Sequence, residues 1–229
     1  MKMNLTFLGL GAAFFPALRN TCAYYKEGDQ VYLLDCGATA FVQLMKDKVL
    51  DGVRKVTCFI SHRHPDHTGS LGTLAAYGTY VGHFDVVIVH PDEAIAKLLT
   101  YAAVTEQEYQ FVQTDHYQDE RLDVQFHPVQ HTPGLPAWGF TLTMDGETIY
   151  YSGDGEMPPK AVWDDFCAGK IARLYQDAGR TAHGGHGDFE ALKAMCPLEL
   201  RSRLYPIHLN CDYRDEIVAE GFGAADFTE

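Results

Sequence analysis

The run Ser61-His62-Arg63-His64-Pro65-Asp66-His67 gathers three imidazoles and a carboxylate within six positions. Neutral imidazole nitrogen and carboxylate oxygen are the donors that borderline divalent ions such as zinc accept. Further along, His131, Asp154 and His208 each come after an apolar run that reads as a strand. The candidate ligands are therefore His62, His64, Asp66, His67, His131, Asp154 and His208, seven in all. A catalytic zinc takes roughly three protein ligands. Seven exceed one ion and suit two, about 3.5–4 Å apart, sharing a carboxylate and a hydroxide. A second pairing is Asp177, at another strand end, with His186 in Thr181-Ala182-His183-Gly184-Gly185-His186-Gly187. Glycines flanking a histidine suit close approach of backbone to another group.

These residues need a scaffold that brings strand ends together. Strands are predicted over 5–9, 21–25, 31–35, 55–60, 86–89, 122–126, 138–144, 148–152, 171–176 and 204–207. Helical spacing covers 40–49, 91–101 and 161–168, and Asp188 caps a helix to about 195. The histidine motif reads as a strand-to-helix loop, free of any fixed side-chain period. The stretch 105–118 gives no assignment, and the end, 221–229, is expected to be loosely held. Strands ahead of the first helix argue for a mixed α+β sheet faced by helices, not a doubly wound parallel fold. A single domain over 1–229 is the simplest organisation.

Composition narrows the partners. A net charge of −13 repels a phosphate backbone, so a long duplex or tRNA is not an expected ligand. The six cysteines lack any C-x-x-C pair and read as free, buried thiols of a cytoplasmic protein. No run of about 18 apolar residues predicts a membrane span, and the first residues read as a strand, not a signal peptide.

The order His62-x-His64-x-Asp66-His67, His131, Asp154, His208 resembles the metallo-β-lactamase superfamily. Several motifs are similar to its ribonuclease Z branch: Phe7-Leu8-Gly9-Leu10-Gly11, Arg19-Asn20, Leu34-Asp35-Cys36-Gly37, His131-Thr132-Pro133-Gly134 and Tyr151-Ser152-Gly153-Asp154. The short chain shows no Gly- and Lys-rich arm, and 131–140 with 176–189 looks most like compact anti-Pycsar proteins, which hydrolyse cyclic nucleotides. The resemblance implies a four-layer αββα sandwich and two zinc ions, with manganese or iron as alternatives. It places His62, His64 and His131 on one metal, Asp66, His67 and His208 on the other, and Asp154 between them. Asp66, Asp177 and His186 would take part in catalysis, His186 as general acid held by Asp177. The implied substrate is a 3′,5′-cyclic mononucleotide and the implied assembly a homodimer. RNA 3′-processing and hydrolysis of a lactone or β-lactam stay open as alternatives, as does a non-enzymatic metal-binding role.

Asp35 is expected to orient a ligating imidazole. Arg19, Arg63 and Arg180 are candidate phosphate contacts, and Trp138 could stack on a base. Asn20 and His183 could reach substrate, whereas His83, His90, His116 and His127 read as ordinary.

Overall fold

The computed structural model describes residues 3–181 and 184–228. Its strands are β1 (Thr6–Gly9), β2 (Cys22–Glu27), β3 (Gln30–Leu34), β4 (Lys55–Phe59), β5 (Asp85–His90), β6 (Gln110–Gln113), β7 (His116–Gln118), β8 (Asp123–Val129), β9 (Ala137–Met144), β10 (Glu147–Tyr151), β11 (Arg173–Asp177), β12 (Leu204–Ile207) and β13 (Asp226–Phe227). The α-helices are α1 (Ala40–Lys46), α2 (Pro65–Thr68), α3 (Leu71–Tyr77), α4 (Ala94–Tyr101), α5 (Lys160–Cys167), α6 (Phe189–Met195) and α7 (Arg214–Ala219). They build one sheet in the order β13-β1-β2-β3-β4-β5-β6 and a second in the order β12-β11-β10-β9-β8-β7.

Alternation along the strands explains the layering. In β3, β4 and β5, Val31, Leu33, Val56, Cys58, Val86 and Ile88 join a core with Leu44 of α1, Leu71 and Leu74 of α3, and Ile95 of α4. The intervening Tyr32, Leu34, Phe59, Val87 and Val89 belong to the other core, with Phe126 and Phe140 of the second sheet. A period of two puts successive side chains on opposite faces, so each central strand serves both cores. Aromatic rings bridge the sheets: Phe7 lies 5.3 Å from Tyr175, and Phe59 lies 6.4 Å from Phe140. Helices α5 and α6 contribute Val162, Phe166, Phe189 and Leu192 to that core. The result is the expected αββα sandwich.

Direction matters more than layering for the site. β3, β4 and β5 run parallel. β10, β11 and β12 run parallel, and two antiparallel steps through β9 give β8 the same direction. The residues after β3, β4, β8, β10, β11 and β12 therefore emerge along one edge, where loops can carry chemistry.

Several expectations change. The stretch without an assignment forms β6 and β7, and α7 was not foreseen. Asp66 and His67 sit on the helical turn α2, with Pro65 at its start, rather than on a free loop. The chain end is tied down: β13 pairs parallel with β1, and Arg19 and Arg214 lie over the Phe227 ring. All six cysteines are free, but Cys167 is exposed and Cys211 only partly buried. No helix among the described residues is long and apolar enough to cross a membrane.

Candidate metal centre

All seven candidate ligands meet around Asp154. Donor atoms of His62, His64, His131 and Asp154 lie within 4.8 Å of one another, as do those of Asp66, His67, Asp154 and His208. In the first grouping, His64 Nδ1 is 3.0 Å from His62 Nε2 and 3.2 Å from His131 Nε2. In the second, His67 Nε2 is 3.0 Å from Asp154 Oδ1 and 3.3 Å from Asp66 Oδ2. His208 Nε2 reaches the same oxygens at 3.1 and 3.4 Å.

The contacts behind these rings decide which nitrogen is free. His131 Nδ1 lies 3.0 Å from the Gly185 carbonyl, which only accepts, so Nδ1 carries the proton and Nε2 presents a lone pair. His67 Nδ1 lies 2.8 Å from Asp35 Oδ2 and likewise donates. His67 Nε2 faces carboxylate oxygens, and both it and Asp154 Oδ1 are buried without a hydrogen-bond partner. Imidazole nitrogens and carboxylate oxygens converging at this range are the donor set a divalent cation takes, and a cation would replace the protons that the carboxylates otherwise draw onto His67 and His208. The residues present therefore fit divalent metal.

Asp35 is fully buried and accepts from four groups: Ser61 N–H at 2.7 Å, Ser61 Oγ at 2.9 Å, Tyr151 OH at 3.0 Å and the His67 ring. Asp35 and His208 both have left-handed backbone, at φ 63° and 56°. That conformation costs on the order of 1 kcal/mol or more in a non-glycine residue, and such residues concentrate at functional sites. Gly185 is required on two counts. Its φ is +92°, and a Cβ there would lie 2.5 Å from the His131 carbonyl carbon.

The metal-free electrostatics divide the cluster. Burial, then the neighbouring imidazoles and above all His67, drive His62 well below the ordinary histidine value. Burial and His131 lower His64. Burial also opposes protonation of His67 and His208, but carboxylates outweigh it. Asp154 and Asp35 lift His67 well above its usual range, and Asp154 with Asp177 carries His208 up to about 10. Burial would raise Asp66 and Asp154, yet the facing imidazoles hold both carboxyls below the usual carboxylate range.

His186 Nδ1 lies 2.8 Å from Asp177 Oδ2 and 3.9 Å from Asp154 Oδ2. Its ring stacks on His208 at 5.1 Å. Burial depresses its basicity, but the bond to Asp177 and that group's charge raise it above the ordinary value. The imidazole borders a cavity of about 670 Å³ shared with Asp66, Asp154, Asp177 and His208. That volume falls within the roughly 300–1,000 Å³ of small-molecule sites. A hollow of similar size, about 660 Å³, lies between α7 and β13. Volume alone therefore does not choose the site; the ligand clusters do.

Other sequence expectations land elsewhere. Arg19 donates to Gln43 and the Thr228 carbonyl, and Arg180 pairs with Glu216 and lies over Tyr213. Both anchor the C-terminal region rather than substrate. Arg63 stays exposed beside His64, Lys97 and Leu135. Trp138 packs on the core, its ring 4.8 Å from His90. Asn20 lines the cavity while its Oδ1 accepts from Thr39 N–H. His183 lies outside the described residues. Ser61, Tyr151 and the Gly185 carbonyl were not foreseen. Ser61 adjoins the motif and could have been suspected, but the other two reach the site only through tertiary packing.

A family model described as "Anti-Pycsar protein Apyc1" matches residues 3–229. The chain belongs to this family. It is 24% identical over 229 residues to Anti-Pycsar protein Apyc1 of Paenibacillus sp. (strain J14), covering 93% of this chain and 91% of that protein. It is 31% identical over 154 residues to Ribonuclease Z of Bacteroides fragilis (strain YCH46), covering 61% of this chain but only 49% of the relative. Among solved structures, the metallo-β-lactamase fold protein YhfI from Bacillus subtilis superposes with a TM-score of 0.74 at 17% identity, covering 100% of this chain and 98% of that one. Human tRNase Z, short form, superposes with a TM-score of 0.67 at 22% identity, covering 90% and 93%. The anti-Pycsar family member described here is thus a metal-dependent hydrolase of metallo-β-lactamase fold.

Proposed function

We propose that this anti-Pycsar family member is a two-metal phosphodiesterase that opens 3′,5′-cyclic mononucleotides to nucleoside monophosphates. The observation that carries the reading is the Asp177–His186 pair set against Asp154, with His186 Nδ1 2.8 Å from Asp177 and 3.9 Å from Asp154. An alkoxide leaving phosphorus needs a proton at the moment its bond breaks, and a positioned imidazole supplies one. Lactone and β-lactam opening also expels a basic atom that must take up a proton, so the substrate panel below separates these reactions.

In this reading His62, His64 and His131 would hold one cation and Asp66, His67 and His208 the other, with Asp154 in both groupings. Two bound divalent cations, zinc with manganese or iron as alternatives, would supply an acidified water and offset charge on the phosphoryl oxygens. Asp35 and the Gly185 carbonyl fix the tautomers of His67 and His131. Asp177 accepts from His186 Nδ1–H and favours the imidazolium, whose Nε2–H passes to the departing ribose oxygen; the proton lost by the attacking water replaces it. One water is added across one P–O ester bond. Relatives named Apyc1, ribonuclease Z and, at 40% identity over 68 residues, human zinc phosphodiesterase ELAC protein 1 support phosphodiester chemistry. A net charge of −13 favours a small substrate over a long polyanion.

The test incubates purified protein with cyclic mononucleotides, cyclic dinucleotides, a short RNA and a lactone, with and without chelator. Cyclic mononucleotides should be the preferred substrates, with turnover lost on chelation and restored by added divalent metal. Preference for RNA or the lactone, or turnover that survives chelation, would overturn the reading.

A further inference from the structure

Phe14 is 98% exposed, while Phe15 beside it packs on the core. A ring left in water forgoes the burial that usually places phenylalanine inside. Yet the loop that displays it is held firmly. Leu10 N–H donates to the Leu18 carbonyl at 2.9 Å and Gly11 N–H to that of Arg19 at 2.7 Å, closing the loop base. Phe15 N–H donates to the Ala12 carbonyl at 3.0 Å, closing a tight turn with Ala13 and Phe14 at its tip.

The loop is also tied to the site. Ala12 N–H donates to the Leu209 carbonyl at 2.9 Å, and Leu209 N–H donates back to the Leu10 carbonyl at 2.7 Å. Leu209 directly follows His208, so the turn is fixed to the strand end that carries a candidate ligand. Phe14 borders the same cavity as Asp154, His186 and His208. The wall on its side continues through Ala12, Ala13 and Pro16, all apolar. The same cavity is thus lined by charged groups and by an apolar stretch that carries one exposed aromatic ring on a fixed backbone.

We propose that Phe14 is the platform on which the substrate's nucleobase stacks, with Ala12, Ala13 and Pro16 as the apolar wall beneath it. This rests on the cyclic-nucleotide reading above and deepens it by assigning the base subsite. Every base has a π-face, so a lone aromatic platform recognises bases by overlap rather than by hydrogen-bond pattern. Purines should therefore bind more tightly than pyrimidines, and neither should be excluded.

The experiment compares wild type with Phe14→Ala and Phe14→Trp on the four common 3′,5′-cyclic mononucleotides and on ribose 3′,5′-cyclic phosphate lacking a base. Phe14→Ala should raise KM for the nucleotides on the order of tenfold, most for purines, and shift KM for the abasic substrate by less than about twofold. Phe14→Trp should keep KM near or below the wild-type value. Equal changes on both kinds of substrate, or none, would overturn the base assignment while leaving cyclic-nucleotide hydrolysis intact. A parallel loss on both, with a lower mass by light scattering, would also overturn it and make Phe14 a subunit contact. A wild-type protein inactive on every cyclic substrate would overturn both readings together.

Discussion

Two His–Asp pairs stand at this centre with the same separation and different surroundings. His67 Nδ1 lies 2.8 Å from Asp35 Oδ2, and His186 Nδ1 lies 2.8 Å from Asp177 Oδ2. In the first pair both side chains are 0% exposed, whereas the His186 imidazole is 32% exposed. Asp35 takes further hydrogen bonds from Ser61 and Tyr151, so its pair is locked between the two sheets. Asp177 shares its carboxylate between His186 and His208, at the border of the cavity. The contrast teaches that a short His–Asp bond does not assign a role. Burial and remaining partners do: the locked ring is closed off from solvent and faces only the other candidate ligands, whereas the half-open ring can exchange a proton with substrate.

The largest effect should come from the open pair. His186→Ala should lower kcat about 10²- to 10⁴-fold, read by steady-state kinetics on a cyclic mononucleotide. Asp177→Asn should act in the same direction but less strongly, because the imidazole remains. The locked pair should break differently. Asp35→Asn should weaken metal binding about 10- to 100-fold, measured by competition with a chromophoric chelator. It should also lower the melting temperature, because a buried four-donor acceptor is lost; about 3 kcal/mol is the order expected. Equal metal loss in Asp35→Asn and His186→Ala would erase the distinction.

Smaller changes sharpen it. Tyr151→Phe removes one donor from Asp35 and should cost about 1 kcal/mol in urea denaturation, with little change in kcat. His90 offers a third case, a buried ring whose Nδ1 meets the Asp92 backbone instead of a carboxylate. Burial there outweighs the Asp92 backbone and lowers its basicity. The unfolded chain, with an ordinary value of about 6.5, then binds more protons than the folded one between the two values. Stability from His90 is therefore full above about pH 6.5 and is lost as pH falls through the depressed folded value. In the metal-loaded protein, His90→Gln should flatten the melting-temperature slope over that acidic window; an unchanged slope would mean that His90 keeps its proton.

The cluster of candidate ligands was legible because His62 to His67, His131, Asp154 and His208 combine distinctive residue types with apolar runs that end beside them. Strands were legible as apolar runs such as Val31 to Leu34 and Val86 to Val89, which implied a mixed sheet faced by helices, and the sandwich came with the family resemblance. What escaped depends on distant packing. Tyr151 reads as an ordinary strand aromatic until β10 brings its hydroxyl to Asp35, 116 positions away. Arg19 looked free because its partner Thr228 is 209 positions away. β6 and β7 are short and polar at their ends, so Gln110–Gln113 and His116–Gln118 carry little periodic signal. β13 has only two residues and forms because β1 offers it an edge.

His186 also falls in a third grouping with Asp154, Asp177 and His208 whose donor atoms lie within 4.8 Å of one another. The decisive measurement is the metal content per chain of His186→Ala, by elemental mass spectrometry, beside wild type and Asp35→Asn. Wild-type metal content with collapsed turnover is the expected result and marks His186 as the proton donor. Loss of metal in His186→Ala would contradict it and make the open pair part of the cation's ligand shell.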